Sequence, residues 1–326
     1  MSIFSTGLKH LNKHTKIVPV FLTINNSYAP YAATAIHSLT QHVNKKRYYR
    51  VIILHDGLNW VNRIRLRSLA TDNVAIQFKK ISGNLYLKAI IKYCSRRKGA
   101  GDFFSSAVYY YRFFIPRLFP LYDKCVYIDS DTILRGDIGD LFDMDLDGNV
   151  VAAMVDPKVD VIKEFREYVN KAVGVPYTEY TNSGVLVMDM KALRKLGYLS
   201  ALVDTINKYD ADLVAPDQDY MNVILRGKIK HMDPNWNMEP GKKLSEDVKL
   251  IHFNLFNKPW HYENVPQEKL FWNAARGTGF YGELKRQLAA FDEEKQKEDH
   301  AKIDALLQKA SRLAKVKKPI IEFVEK

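Results

Sequence analysis

Apolar and polar positions along this chain come in alternating blocks. The stretch KIVPVFLTI (16–24) is apolar at nearly every position, which predicts a strand covered on both faces. NNSY (25–28) follows as a turn. Then Ala32, Ile36, Leu39 and Val43 recur at helical spacing, with Pro30 placed where a helix can begin. RVIIL (50–54) predicts a second strand, closed by HDGL. A helix carrying Val61, Ile64 and Leu69 leads to a third strand, VAIQFKKI (74–81). A helix around 105–117 precedes the strand CVYID (125–129). Further strands are expected at NVVAAMV (149–155) and GVLVMD (184–189), then a helix from Lys191 to about Tyr209. Strand and helix in alternation imply an α/β fold with a mostly parallel sheet. Such sheets bind ligands beyond the carboxyl ends of their strands. Polar groups recur at those ends: Asn25, Asn26 and Ser27, then Asp129 and Asp131, then Asp156. They are candidates for lining one cleft, or for chance placement in surface loops.

From about Gly282 the pattern changes to a charged, helix-prone stretch. Leu284, Leu288 and Phe291, then Ile303, Leu306, Leu307, Ala310 and Leu313, recur at helical spacing. The chain therefore divides into a body, 1–282, and a basic helical tail, 283–326. Lys309 to Lys318 holds five basic residues and no acid. The tail reads either as a helix packed on the body or a second subunit, or as an amphipathic segment on an acidic membrane surface.

Composition narrows the class without naming a function. The 326 residues are 47% hydrophobic and 26% charged, ordinary for one large globular domain or two small ones. No basic start precedes an apolar core and a small-residue cleavage site, so no signal peptide is expected. No run of about 18 uncharged apolar residues occurs, so no transmembrane helix is expected. Two lone cysteines, Cys94 and Cys125, suggest a reducing compartment, with Cys125 a buried thiol. The net charge is +12, with basic clusters at Lys45, Lys46, Arg47 and Arg50, at Arg96, Arg97 and Lys98, and at Lys315, Lys317 and Lys318. These are solvated surface, or they attract nucleotides, phosphorylated glycans or acidic headgroups. No signature of a nucleic-acid-binding fold is present, so nucleic acid is not an expected partner.

The chemistry concentrates where KCVYIDSDTIL (124–134) runs a buried strand into two carboxylates. In an extended segment Asp129 and Asp131, either side of Ser130, point the same way. Two such carboxylates repel unless a proton or cation lies between them, and a hard divalent cation fits. The plain alternative is a pair of solvated loop carboxylates. Haloacid-dehalogenase-like phosphatases also place Asp-x-Asp after a strand. Their motif has Thr or Val four residues after the first Asp, where this chain has Ile133, and it tends to lie near the domain start. That reading ranks lower.

YIDSDTILRGDIGDLFDMDL (127–146) resembles the metal-site segment of glycosyltransferase family 8. Four further stretches match in the same order: VFLTINNSYAPYAATAIHSL (20–39), YTNSGVLVMDMKALR (180–194), APDQDYMNVIL (215–225) and IHFNLFNKPWHY (251–262). Together they span about residues 16 to 262. The resemblance implies a GT-A Rossmann-like catalytic domain that moves a hexosyl unit, galactose or glucose, from a UDP-sugar with retention. It implies Mn²⁺, or Mg²⁺, held by Asp129, Asp131 and His252, with Lys258 adding positive charge at the diphosphate. By the same resemblance Thr23, Asn25, Ser27, Tyr28, Ser130 and Gly184 belong to the donor site. Asn25 replaces the family's usual acid, and its amide oxygen is expected to accept from the uracil ring N–H. Arg112, Asp156, Asn182, Asp217 and Gln218 are the expected catalytic set. Asp156 and Asp217 would accept from sugar hydroxyls, while Asn182 and Gln218 orient the ring. Leu255 stands where the family often has glycine. The implied acceptor is a glycan or a lipid-linked oligosaccharide, and the implied location cytoplasmic, peripheral at the inner membrane face. A non-catalytic nucleotide-sugar or glycan-binding protein is the alternative.

Overall fold

Long apolar runs became the strands that carry the site. The computed structural model describes residues 16–96, 106–209, 212–241 and 243–324. Arg97 and Lys98, and the first position of the expected 105–117 helix, lie outside them. β1 (Lys16–Ile24) has the expected bounds, and its interior is fully buried. The chain then makes one 3₁₀ turn (Asn26–Tyr28) and enters α1 (Ala29–Thr40), with Pro30 in its first turn. β2 (Arg47–His55) starts earlier than expected, because Arg47 to Tyr49 continue to pair with Lys16 to Val18.

α2 (Trp60–Arg67) corrects the expected stripe. Ile64 is 60% exposed and Val61 38%; Leu69 is buried as expected, just past the helix, and Leu66 is the buried residue within it. Arg63 and Arg67 lie over the Phe78 ring instead. β3 (Val74–Lys80) and α3 (Leu85–Ser95) follow. The helix expected over 105–117 is a 3₁₀ segment, Ala107–Phe114, running into the short α4 (Ile115–Leu118). Five consecutive residues, Tyr110 to Phe114, are buried there, more than the single apolar stripe of an α-helix can bury.

β4 (Lys124–Ile128) ends directly at Asp129. Beyond it come β5 (Thr132–Leu134), α5 (Ile138–Asp143), β6 (Val151–Ala153), α6 (Pro157–Val161) and α7 (Lys163–Tyr168). After β7 (Val185–Asp189), the single helix expected to Tyr209 is two: α8 (Met190–Leu196) and α9 (Tyr198–Tyr209). Gly197, at φ 68°, turns the chain left-handed between them. α10 (Pro216–Ile224), β8 (Ile229–His231), β9 (Leu250–His252), α11 (Glu268–Arg276), α12 (Tyr281–Ala289) and α13 (Glu293–Leu313) complete the order.

The central sheet runs β3-β2-β1-β4-β7-β6-β8. Its first four strands are parallel, β7 is antiparallel to both neighbours, and β6 and β8 are parallel. Alternate residues feed two cores: Val126 and Ile128 face one, Cys125 and Tyr127 the other. A separate pair, β5 and β9, is antiparallel and sets Thr132 opposite His252. No periodicity announces strands this short.

Of the two readings of the tail, packing on the body is the one formed. α13 lies against α7, with Leu306 and Ala310 fully buried. Ile320 and Ile321 close the same core. The expected division at 282–283 falls inside α12, whose Leu284 is buried with α1 and α11. Lys309 is buried against Asp212, with Nζ 2.8 Å from the carboxylate, while Lys315, Lys317 and Lys318 remain exposed. Among the described residues no helix is long and apolar enough to cross a membrane.

Candidate active site

The end of β4 and the β5–β9 pair build a corner of unlike charges. Asp129 is tied down at the backbone, its N–H donating to Gly184 O at 2.7 Å. Its Oδ1 accepts from the Tyr127 hydroxyl at 2.6 Å and from Arg112 at 3.1 Å. Two residues on, Asp131 Oδ2 meets Lys258 Nζ at 2.5 Å, and Oδ1 lies 3.1 Å from His252 Nε2. The same nitrogen is 3.9 Å from Asp129 Oδ2. Burial works to raise the Asp131 pKa, but Lys258 and His252 outweigh it and hold the carboxyl well below its ordinary range.

Asp129, Asp131 and His252 each offer a ligand atom, all within 4.8 Å of one another. Two carboxylates and an imidazole form a mixed oxygen–nitrogen set of the kind that divalent metals bind. Gly184 makes the space. A Cβ there would collide with the His252 ring and sit 2.8 Å from Asp129 Oδ2. The residues present therefore fit a divalent cation.

Behind this corner lies a cluster of amides. Gln218 Nε2 donates to Asp156 Oδ2 at 2.8 Å, and its Oε1 accepts from the Ser183 N–H at 3.0 Å and from Asn182 at 3.2 Å. Asn182 also donates to Asp156 Oδ2 at 3.1 Å. Between cluster and corner stands Arg112, 2% exposed, over the face of Tyr127. It bonds Ser183 O and pairs with both Asp129 and Asp217, the latter at 3.3 Å. Burial pushes the Asp217 carboxyl up to about 6, with Arg112 pulling the other way.

One cleft at the carboxyl edge of the sheet gathers most of the expected residues. Thr23, Asn25, Tyr28, Arg112, Asp129, Ser130, Asp131, Asn182, Asp217, Gln218 and Lys258 all line it. So does Leu255, whose backbone is left-handed at φ 63°. The chain thus keeps a glycine-like conformation without the glycine. The chain matches the family model described as Glycosyl transferase family 8 over residues 19–264.

The chain belongs to that family. Among its relatives, General stress protein A of Bacillus subtilis (strain 168) is 26% identical over 270 residues, 76% of this chain and 88% of that protein. Lipopolysaccharide 1,2-glucosyltransferase of Escherichia coli (strain K12) is 26% identical over 213 residues, 60% of this chain and 62% of that one. The bifunctional glycosyltransferase WbbM superposes with a TM-score of 0.70 at 25% identity, over 86% of this chain and 53% of its own. This chain thus spans about half of WbbM. The galactosyltransferase LgtC, solved in complex with donor and acceptor sugar analogs, superposes with a TM-score of 0.64 at 22% identity, over 86% of this chain and 100% of its own. The fold is GT-A, and this family 8 chain is an enzyme of the glycosyltransferase class.

Against that background, four expected positions of this glycosyltransferase are already bonded or stand outside the cleft lining. Asp156 does not line the cleft. It is 4% exposed, with one oxygen taken by the two amides and the other by the Lys158 N–H that begins α6. It holds the amides from behind. Asn25 lines the cleft, but its Oδ1 already accepts from the Tyr28 N–H at 3.1 Å and the Ser27 hydroxyl at 2.7 Å. The amide N–H group is what it has left to offer a ligand. Ser27 supports Asn25 and lies outside the cleft lining. His252 sits beneath the cleft and reaches it through Asp131. Sequence reasoning passed over Tyr127, Ser183 and Asn237. The first two lie inside matched stretches; Asn237, uncharged in a short turn, carries no local signal.

Proposed function

We propose that this glycosyltransferase is a metal-dependent, retaining hexosyltransferase that moves galactose or glucose from a UDP-sugar to a glycan or glycolipid acceptor. The observation that carries this reading is the convergence of Asp129, Asp131 and His252 beside Lys258. Mn²⁺, or Mg²⁺, bound there would supply a Lewis acid toward the donor diphosphate. The imidazole in the set favours Mn²⁺, since Mg²⁺ prefers oxygen alone. Lys258 places its ammonium at the leaving phosphate and leaves its pairing with Asp131 to do so. Thr23 and Tyr28 take the base and ribose, and Asn25 presents its amide N–H to a uracil carbonyl. Ser130 and Gly184 leave the diphosphate room to approach.

Arg112 fixes the distance between the diphosphate end and the sugar end by gripping Asp129 and Asp217 together. Asp217 accepts from a sugar hydroxyl, and Asn182 and Gln218 orient the ring. Gln218 is a poor nucleophile, and its oxygen already accepts two hydrogen bonds. Retention then follows from front-face attack. The acceptor hydroxyl bonds to the anomeric carbon as the sugar–phosphate bond breaks on the same face. Its proton passes to the leaving phosphate oxygen, and UDP departs.

The names of the relatives, a lipopolysaccharide 1,2-glucosyltransferase and a galactosyltransferase, support a hexose donor and a surface-glycan acceptor. In this reading the enzyme works on the cytoplasmic side and meets an acidic membrane surface by charge alone. The apolar side of α13 is taken up by α7, and Lys315, Lys317 and Lys318 are exposed. The test is UDP release from UDP-galactose and UDP-glucose with Mn²⁺ and with chelator. Mn²⁺-stimulated release is expected; no release from any common nucleotide sugar overturns the reading. A covalent glycosyl adduct trapped on Asp217→Ala or Gln218→Ala would overturn front-face attack.

A further inference from the structure

Backbone N–H groups anchor the polarity of the hydrogen bonds behind the cleft. The Gly184 N–H donates to an Asn182 side-chain atom at 2.9 Å, so that atom is Oδ1. The Asn237 atom 3.0 Å from this oxygen is then its Nδ2 amide, the donor. Asn237 is left facing His252 Nδ1 with its own Oδ1, at 2.9 Å. An oxygen in that place requires the ring proton on Nδ1. In a neutral imidazole the other nitrogen, Nε2, then carries a lone pair. Nε2 is the atom aimed at Asp131 Oδ1 and Asp129 Oδ2. In that neutral ring three acceptors meet with no hydrogen among them, an arrangement that a cation completes in place of a proton.

On its far side the run continues. Asn182 donates through Nδ2 to Asp156 and to Gln218 Oε1, and the Ser183 N–H fixes the orientation of that amide as well. Asn237 is 1% exposed and does not line the cleft, so it touches neither donor nor acceptor. Its position needs an acceptor toward His252 and a donor toward Asn182. An amide supplies both, from two separate atoms. A carboxylate would serve His252 and oppose the Asn182 oxygen; an apolar side chain would leave both unpaired.

We propose that Asn237 is a positioning residue that holds His252 in its metal-binding tautomer and couples metal occupancy to the amides facing the donor sugar. This rests on the reading of Asp129, Asp131 and His252 as a metal site. The experiment titrates Mn²⁺ into donor-free wild type, Asn237→Leu and Asn237→Asp by electron paramagnetic resonance, then measures kcat and donor KM by UDP release. Asn237→Leu is expected to weaken Mn²⁺ binding by about 10- to 100-fold. Asn237→Asp is expected to keep or tighten Mn²⁺ binding while lowering kcat, because it keeps the acceptor toward His252 and sets an acceptor against the Asn182 oxygen. Wild-type Mn²⁺ affinity in Asn237→Leu overturns the role of Asn237 alone. Should Asn237→Leu not fold, Asn237→Asp decides: weakened Mn²⁺ binding, or unchanged kcat, overturns the proposal. Wild type that binds no Mn²⁺ removes the metal-site reading and this one with it.

Discussion

The two ends of the cleft are built on opposite principles. In the amide cluster Asn182 has both its oxygen and its nitrogen matched, and Asp156 accepts at both oxygens. In the candidate metal corner, Asp129, Asp131 and His252 converge, with Lys258 and Arg112 as counter-charges. The first region has its hydrogen bonds matched within itself; the second holds its carboxylates by ion pairs that an incoming ligand can exchange. Preorganised dipoles orient the sugar at no cost during reaction, whereas the charged corner responds to what binds.

Removing a charge from the corner should have the largest effect. Asp131→Ala is expected to abolish measurable Mn²⁺ binding and lower kcat/KM by more than about 10³-fold, beyond what one oxyanion donor supplies. Calorimetric titration of Mn²⁺ against the variant checks it. Lys258→Met should come next, lowering kcat by about 10²–10³-fold while Mn²⁺ still binds. Steady-state UDP release separates that outcome from loss of metal. In the amide cluster, Asp156→Asn leaves a single acceptor oxygen, which can serve the two amides or the Lys158 N–H that begins α6, but not both. A loss of about 1–3 kcal/mol in stability and about tenfold in kcat is expected, with Mn²⁺ affinity unchanged. Equal damage to metal binding would erase the distinction between the two ends.

The smallest effect concerns the support beneath α10. Asp219 is buried under the Tyr168 and Tyr180 hydroxyls at 2.8 and 2.7 Å. Burial raises its pKa from 3.8 to about 7, with Tyr180, Tyr168 and the Ala215 N–H opposing. A carboxyl with a raised folded-state pKa contributes stability that is full below 3.8 and lost as pH climbs to about 7. Thermal unfolding of wild type against Asp219→Asn should therefore diverge across that window and run parallel above it. Parallel curves throughout would show that Asp219 does not titrate there.

Legibility followed length and locality. β1, β4 and β7 were readable because each is a run of apolar residues buried on both sides. α2 was misread because Trp60, Val61 and Ile64 are apolar yet exposed, and periodicity alone cannot tell which stripe meets the core. The break at Gly197 had a local signal, glycine after a helical run, that the continuing pattern hid. Most residues named by family resemblance line one cleft, while Asp156, Ser27, Gly184 and His252 lie outside its lining. The bonding of Asn25 was not legible, because its oxygen is claimed by a turn that forms only when Tyr28 folds back.

What the chain determines locally is the delivery of charge. An apolar strand ending in Asp129-Ser130-Asp131 presents two carboxylates at the ligand edge of any parallel sheet, because strand direction and the two-residue period require it. What those carboxylates become was decided only by tertiary structure. Pairing of Thr132 with His252 across 120 positions brings the third acceptor, and Asn237 sets which face of its ring is bare. Three-residue strands and single amides have no pattern along the chain. Their meaning lies in which atoms they oppose, and opposition exists only in the folded molecule.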